Sequence, residues 1–167
     1  MSSEQQHTAQ TDDLLEVHEL VTNTVDAHEA MVTLTLPFQL RQKSRLRTRL
    51  DSGLEIALVL PRGRVLRHGD VLRAANGLLI EVRAAAEQVS TAATGDPLSL
   101  ARACYHLGNR HVALKIGEHW LRYLHDHVLD GMVREQGLTV TVECAPLEPE
   151  SGAYHTGHSL LHLHSHA

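Results

Sequence analysis

Between Asp96 and Gly108 the chain specifies a helix together with both of its ends. The short carboxylate of Asp96 can accept from the first free amides. Pro97 suits the first helical position, where a missing N–H costs nothing. Leu100, Ala103, Cys104 and Leu107 then recur at three- and four-residue spacing, which puts them on one buried face. Gly108 follows where a left-handed cap residue is expected. A helix with one apolar face must be covered, and its flanks say by what. Leu78–Ala86, extending as far as Val89, reads as a strand before it, and His111–Ile116 and Trp120–Leu124 read as strands after it, around a turn at Gly117-Glu118.

Asp126 is the expected cap of a second helix, with Val128, Leu129, Met132 and Val133 on its buried face and Gly137 beyond its end. Leu138–Glu143 is a β-branched strand. The resulting order, β-α-β-β-α-β, is the ferredoxin-like pattern. Upstream the signals are β throughout. Met31–Leu36 is an apolar, β-branched run ended by Pro37, Arg45–Leu50 alternates with the period of a half-buried strand, and Leu54–Leu60 is a strand closed by Pro61-Arg62-Gly63. Asn76-Gly77 is a type I′ hairpin signal. The expected fold class is therefore α+β. A leader over 1–13, expected to be disordered, precedes a small all-β domain over 14–76. A ferredoxin-like domain follows over 77–145, then a flexible histidine-containing tail over 146–167 that opens with two prolines, Pro146 and Pro149.

Composition narrows the function. A hydrophobic content of 43% supports packed cores, and with aromatics at 3% those cores must be aliphatic. A formal charge of −5 lacks the basic footprint of a nucleic-acid binder. No charged-then-apolar leader and no apolar run of about 18 residues is present, so neither a signal peptide nor a membrane helix is expected. Cys104 and Cys144 have no paired spacing, which points away from a disulfide scaffold or a thiolate metal site. The expectation is a cytoplasmic protein with reduced thiols.

The anomaly is 14 histidines. His111 follows the Gly108-Asn109-Arg110 turn, where a helix ends, and reads either as a hydrogen-bonded surface residue or as a ligand. His106, on the last helical turn, has a structural explanation, since a cation there meets the negative end of the helix dipole. His125 and His127 flank Asp126. At a strand end they share a face, whereas on a helix they diverge. Asp126 could instead orient one of the imidazoles. The tail carries His155, His158, His162, His164 and His166, a compositional metal-binding signature. Without thiolates, imidazole ligands suit nickel, copper(II) and zinc. No zinc-protease helix motif, catalytic triad or phosphate loop is present, which leaves a metal-dependent hydrolase without support. Arg45, Arg47 and Arg49 line one face of a strand, read either as a solvated edge that resists aggregation or as a docking face for an acidic partner.

Taken together, LRQKSRLRTRLDSG (Leu40–Gly53), LPRGRVLRHGDVL (Leu60–Leu72), EVRAAAEQVS (Glu81–Ser90), LARACYHLGNRHVALKI (Leu100–Ile116), YLHDHVLDGM (Tyr123–Met132) and GAYHTGHS in the tail resemble the urease accessory nickel chaperone family, UreE. The resemblance covers nearly the whole chain beyond the leader, and YHLGNRH is its most specific segment. It implies a non-enzymatic protein that carries Ni(2+) as cargo, with an N-terminal peptide-binding-like β domain, a ferredoxin-like metal domain and a homodimer. It implies that His111 meets its symmetry mate at one nickel, that His125 and His127 are peripheral ligands, and that His155 and His158 complete the shared site. It implies delivery to apo-urease in a complex with accessory proteins that include the GTPase, with Zn(2+) or Cu(2+) in competition. Ala113 departs from the proline expected there in many members. A histidine-tail store or buffer for nickel or zinc is the alternative.

Overall fold

Residues 14–21 and 32–151 are described in the computed structural model of the protein. In chain order they form β1 (Leu15–Val21), β2 (Val32–Leu36), α1 (Phe38–Arg41), β3 (Arg45–Arg49), β4 (Glu55–Val59), β5 (Val71–Ala74) and β6 (Leu79–Ala84). There follow β7 (Ala86–Ala93), α2 (Pro97–Gly108), β8 (Lys115–Ile116), β9 (Trp120–Leu124), α3 (His127–Glu135) and β10 (Thr139–Pro146). No described helix is long and apolar enough to cross a membrane.

The first six strands make one sheet in the order β2-β6-β5-β1-β4-β3. Its core is aliphatic, as the scarcity of aromatics requires: Val17, Leu34, Ile56, Leu58, Leu72, Ile80 and Val82 are all buried. Two of its pairings, β1 with β4 and β2 with β6, are parallel. β3 lies at the edge, and its exposed Arg47 and Arg49 both pair with Glu55 on β4.

The β5–β6 connection corrects the expected turn. Gly77 N–H donates to Ala74 O, and Gly77 alone takes a positive φ, of 86°. A type I′ turn needs two consecutive left-handed residues, whereas here Asn76 stays right of that region and Gly77 absorbs the reversal by itself. The expected division at 76/77 falls inside this hairpin, because β6 pairs with both β5 and β2. The single strand expected over Leu78–Ala86 is two strands. The chain leaves the first sheet at Ala84 and starts the second at Ala86.

The second sheet has the order β10-β7-β9-β8, with every pairing antiparallel. The elements from β7 to β10 follow β-α-β-β-α-β. Leu100, Ala103 and Leu107 of α2 and Val133 of α3 are buried with Leu121 and Tyr123 of β9. Both helix starts are as expected, with Asp96 and Asp126 each accepting from two backbone amides. On α3 the buried face is shifted from the expected one: Val128 is 58% exposed, and Asp130 is buried in its stead.

The two units share a small core of Phe38, Val89 and Leu147, with Ala113 and Leu124 packed against it. Residues 146–151, expected to begin a flexible tail, are held in place: Pro146 ends β10, and Leu147 and Pro149 are buried. The tail from 152 onward lies outside the described residues.

Candidate metal centre

Gly108 is the last residue of α2, but it is not the left-handed cap. The chain continues through Asn109 and Arg110, and His111 takes a φ of 57°, the one positive φ at a non-glycine among the described residues. His111 N–H donates to Gly108 O at 2.9 Å, and Val112 N–H donates to Leu107 O at 3.1 Å. These are the two bonds of a Schellman ending, with His111 at its left-handed position and Val112 packed against the cluster that holds Leu107. α3 ends in the same way. There the left-handed residue is Gly137, at φ 88°, with Gly137 N–H on Arg134 O and Leu138 N–H on Val133 O. One fold thus uses the same device twice, once with glycine and once with histidine. The left-handed conformation costs a residue with a Cβ about 1–2 kcal/mol that glycine avoids. The His111 imidazole is carried on the surface at the negative end of the α2 dipole, not in the strand expected to begin there, since β8 starts only at Lys115.

His125 directly follows β9, its N–H donating to Gln88 O at 3.1 Å. Its ring is half-buried, with Nδ1 3.0 Å from Ser90 Oγ and 3.3 Å from Asp130 Oδ2. Asp130 is 2% exposed and accepts a 2.8 Å hydrogen bond from the Tyr123 hydroxyl, while Arg134 lies 3.8 Å from its other oxygen. Burial first, then the hydrogen bond and charge of Asp130, pushes the Tyr123 hydroxyl well above the usual phenol range, which keeps it a donor. The Ser90 hydroxyl thus hydrogen-bonds the His125 ring, and the carboxylate beside that ring nitrogen is Asp130, not Asp126. The Asp126 carboxylate is spent on the amides of Val128 and Leu129, which hold it below the ordinary carboxylate range. With Nδ1 engaged inward, Nε2 is the nitrogen of His125 left for a ligand. His127 is the first residue of α3 and exposed.

Asp130, Ser90 and Tyr123 are the residues that sequence reasoning missed. The signal for Asp130 was its place three residues before Val133, on the buried stripe of α3. A polar residue there needs partners.

A concavity of about 240 Å³ is lined by Val112, Ala113, Leu124, His125, Asp126 and Leu129, so His125 stands in its wall together with Val112, the residue that follows His111. Among the described residues no three His, Cys, Asp or Glu side chains come together as a metal-holding group. His106 is exposed and packs edge-on against Tyr105, with ring centroids 5.4 Å apart. Cys104 is half-buried, Cys144 is exposed, and both thiols are free. His155 and His158 lie outside the described residues.

A family model described as the N-terminal domain of the UreE urease accessory protein matches residues 16–85, and one described as its C-terminal domain matches residues 87–167. The two meet where β6 gives way to β7. The urease accessory protein UreE of Alkalilimnicola ehrlichii is 59% identical over 128 residues, covering 77% of this chain and 78% of its own length. That of Proteus mirabilis is 54% identical over 123 residues, covering 74% and 76%. That of Vibrio parahaemolyticus is 53% identical over 132 residues, covering 79% and 82%.

Proposed function

The chain belongs to the UreE family of urease accessory proteins, which are accessory chaperones and not enzymes, and from that membership we propose that it is a nickel metallochaperone for urease maturation. In this reading His111 from each of two protomers binds one Ni(2+) ion on the two-fold axis of a homodimer. A symmetry axis supplies one residue twice at a single point, which answers the absence of a three-residue ligand group among the described residues of one chain. His125 and His127 are peripheral ligands, and His155 with His158 completes the shared site. The ion passes to apo-urease, in the cytoplasm, within a complex that includes the GTPase accessory protein, with Zn(2+) and Cu(2+) as competitors. The unit from β7 to β10 is ferredoxin-like, a reading supported by its element order and antiparallel sheet, and the division between domains lies at Ala85.

The observation that carries the metal site is the left-handed conformation of His111. A histidine kept where glycine is cheaper points to a task for the imidazole itself. Calorimetry with nickel on the wild type and on His111→Ala tests this. One tight step per two chains, absent in the variant, is expected, and an unchanged tight step removes His111 from the centre. The five tail histidines support a second reading, a nickel or zinc buffer. Loss of every nickel site in His155→Ala/His158→Ala would favour that reading.

A further inference from the structure

The positive charge of this chain is gathered in one part of the first domain. Residues 41–67 hold eight Lys or Arg against two Asp or Glu, a balance of +6, while the rest of the chain balances at −11. The fold makes that stretch one surface. β3 and β4 are antiparallel. Before β3 and after β4 the chain stays side by side: Leu60 N–H donates to Ser44 O at 2.7 Å and Leu66 N–H to Arg41 O at 2.9 Å. The loop that carries Arg62 and Arg64 therefore runs back beside Lys43 and the start of β3. Arg45, Arg47 and Arg49 alternate with the less exposed Leu46 and Thr48, which puts the three on one face about 7 Å apart. Arg47 and Arg49 share Glu55. Lys43, Arg45, Arg62 and Arg64 are exposed and have no ion-pair partner among the described residues.

Protection of a sheet edge accounts for charges on β3, but not for Lys43, Arg62 and Arg64, which lie outside any strand. Like charges on neighbouring segments repel, and this chain, with 20 Asp or Glu against 15 Lys or Arg, has carboxylates enough to neutralise them. At the Arg49 end the basic row meets a concavity of about 480 Å³, lined by Arg47, Arg49 and Glu55 and by the apolar Leu14, Leu15 and Leu54. Leu54 is 49% exposed. We propose that the surface from Arg64 to Leu54 docks an acidic segment of a partner protein, its carboxylates on the arginines and an apolar side chain in the concavity. Guanidinium groups pair with carboxylates through two donors at once. A phosphate polymer offers no apolar side chain for the concavity and is repelled by the acidic remainder of the chain. The gathered charge also steers the encounter, at a rate that falls with salt. The inference goes beyond the nickel reading and does not rest on it.

Fluorescence anisotropy on the full chain, with a labelled peptide of Glu-Thr repeats carrying leucine at both ends, tests this. Wild type should bind the peptide at low salt and release it as ionic strength passes about 0.1 M, where screening sets in within about 10 Å. Arg45→Ala/Arg62→Ala/Arg64→Ala should weaken binding about tenfold, the worth of three exposed charge pairs. Leu54→Ser should weaken it about fivefold through lost apolar contact. Glu55→Gln should tighten it about threefold, because it releases Arg47 and Arg49 from their partner on the same chain. Arg102→Ala, an exposed cation on α2, is the control and should change nothing. All the substituted residues are at the surface or partly so, and circular dichroism should show each variant folded. No binding by wild type at low salt, or equal binding by the triple arginine variant, overturns the inference. Binding indifferent to Leu54→Ser, or tighter binding of oligo(dT) than of the peptide, overturns the assignment to a protein segment. Sedimentation of the protein alone at low salt covers the remaining occupant: association that the triple variant abolishes would mean that a second copy fills the surface, which also overturns it.

Discussion

Replacing His111 by glycine should make the metal-free protein more stable while abolishing its tight nickel step. The informative comparison is His111→Gly against His111→Ala. Both lack the imidazole, and they differ only in whether a Cβ must sit at φ 57°. Alanine pays the left-handed penalty and glycine does not. Glycine gives back part of that gain through the greater freedom of its unfolded chain. The net advantage of glycine over alanine is about 1 kcal/mol. For a chain of 167 residues that corresponds to about 2–4 °C in Tm. Histidine carries the same Cβ as alanine, so wild type and His111→Ala should melt together. Urea or thermal unfolding in the presence of a chelator supplies the measurement. α3 contains the control: Gly137, at φ 88°, has open space where a Cβ would go, so Gly137→Ala should cost a similar amount for conformational reasons alone. If His111→Ala equals or exceeds His111→Gly while Gly137→Ala behaves as expected, the claim that His111 is held at a conformational cost is refuted.

Gly108 should respond in the opposite sense. It has no left-handed φ and open space around its missing Cβ, so Gly108→Ala should stabilise by about 0.5–1 kcal/mol in the same unfolding assay. Arg41→Ala should destabilise by about 3–5 kcal/mol, because it removes one side of a buried charged pair and strands the carbonyls of Leu66 and Leu147. Asp130→Asn should weaken nickel at the His125 site by about tenfold and leave the tight His111 step unchanged, as read by calorimetry, since Asp130 lies against Nδ1 of His125 and touches nothing at His111. Metal and fold should separate on acidification. Imidazole must lose its proton to bind, so nickel should leave as pH falls through about 6.5. The caps Asp96 and Asp126 have depressed carboxyl pKa values, from the Ser99 hydroxyl first and from the Leu129 amide first respectively. Their stabilisation is complete above the unfolded-state value of 3.8 and is lost only as pH falls through the lower folded-state values. Near pH 5 circular dichroism should therefore show an intact, metal-free fold.

Local chemistry was legible in the sequence. The Asp-Pro start of α2, the Asp126 cap, the apolar stripe of α2 and the β-branched runs each act within a few residues, and the structure keeps them. The histidine positions were legible because imidazole count and spacing are chemical facts of the chain. What the sequence did not decide was left to long-range pairing. Leu79–Ala84 is an acceptable strand in either sheet, and its pairing with Val71–Ala74 on one side and with Val32–Leu36, more than 40 residues away, on the other assigned it to the first. Asp130 took its role only when Tyr123 and His125 were brought against it, from β9 and from just beyond its end. Gly108 looked like the cap because glycine usually is. The packing of Val112 into the core around Leu107 moved the left-handed position three residues on, to a histidine. Residue type sets what each segment can do alone. Where two segments compete for one partner, or one backbone for two turns, the burial of distant apolar surface decides, and that is a property of the assembled chain.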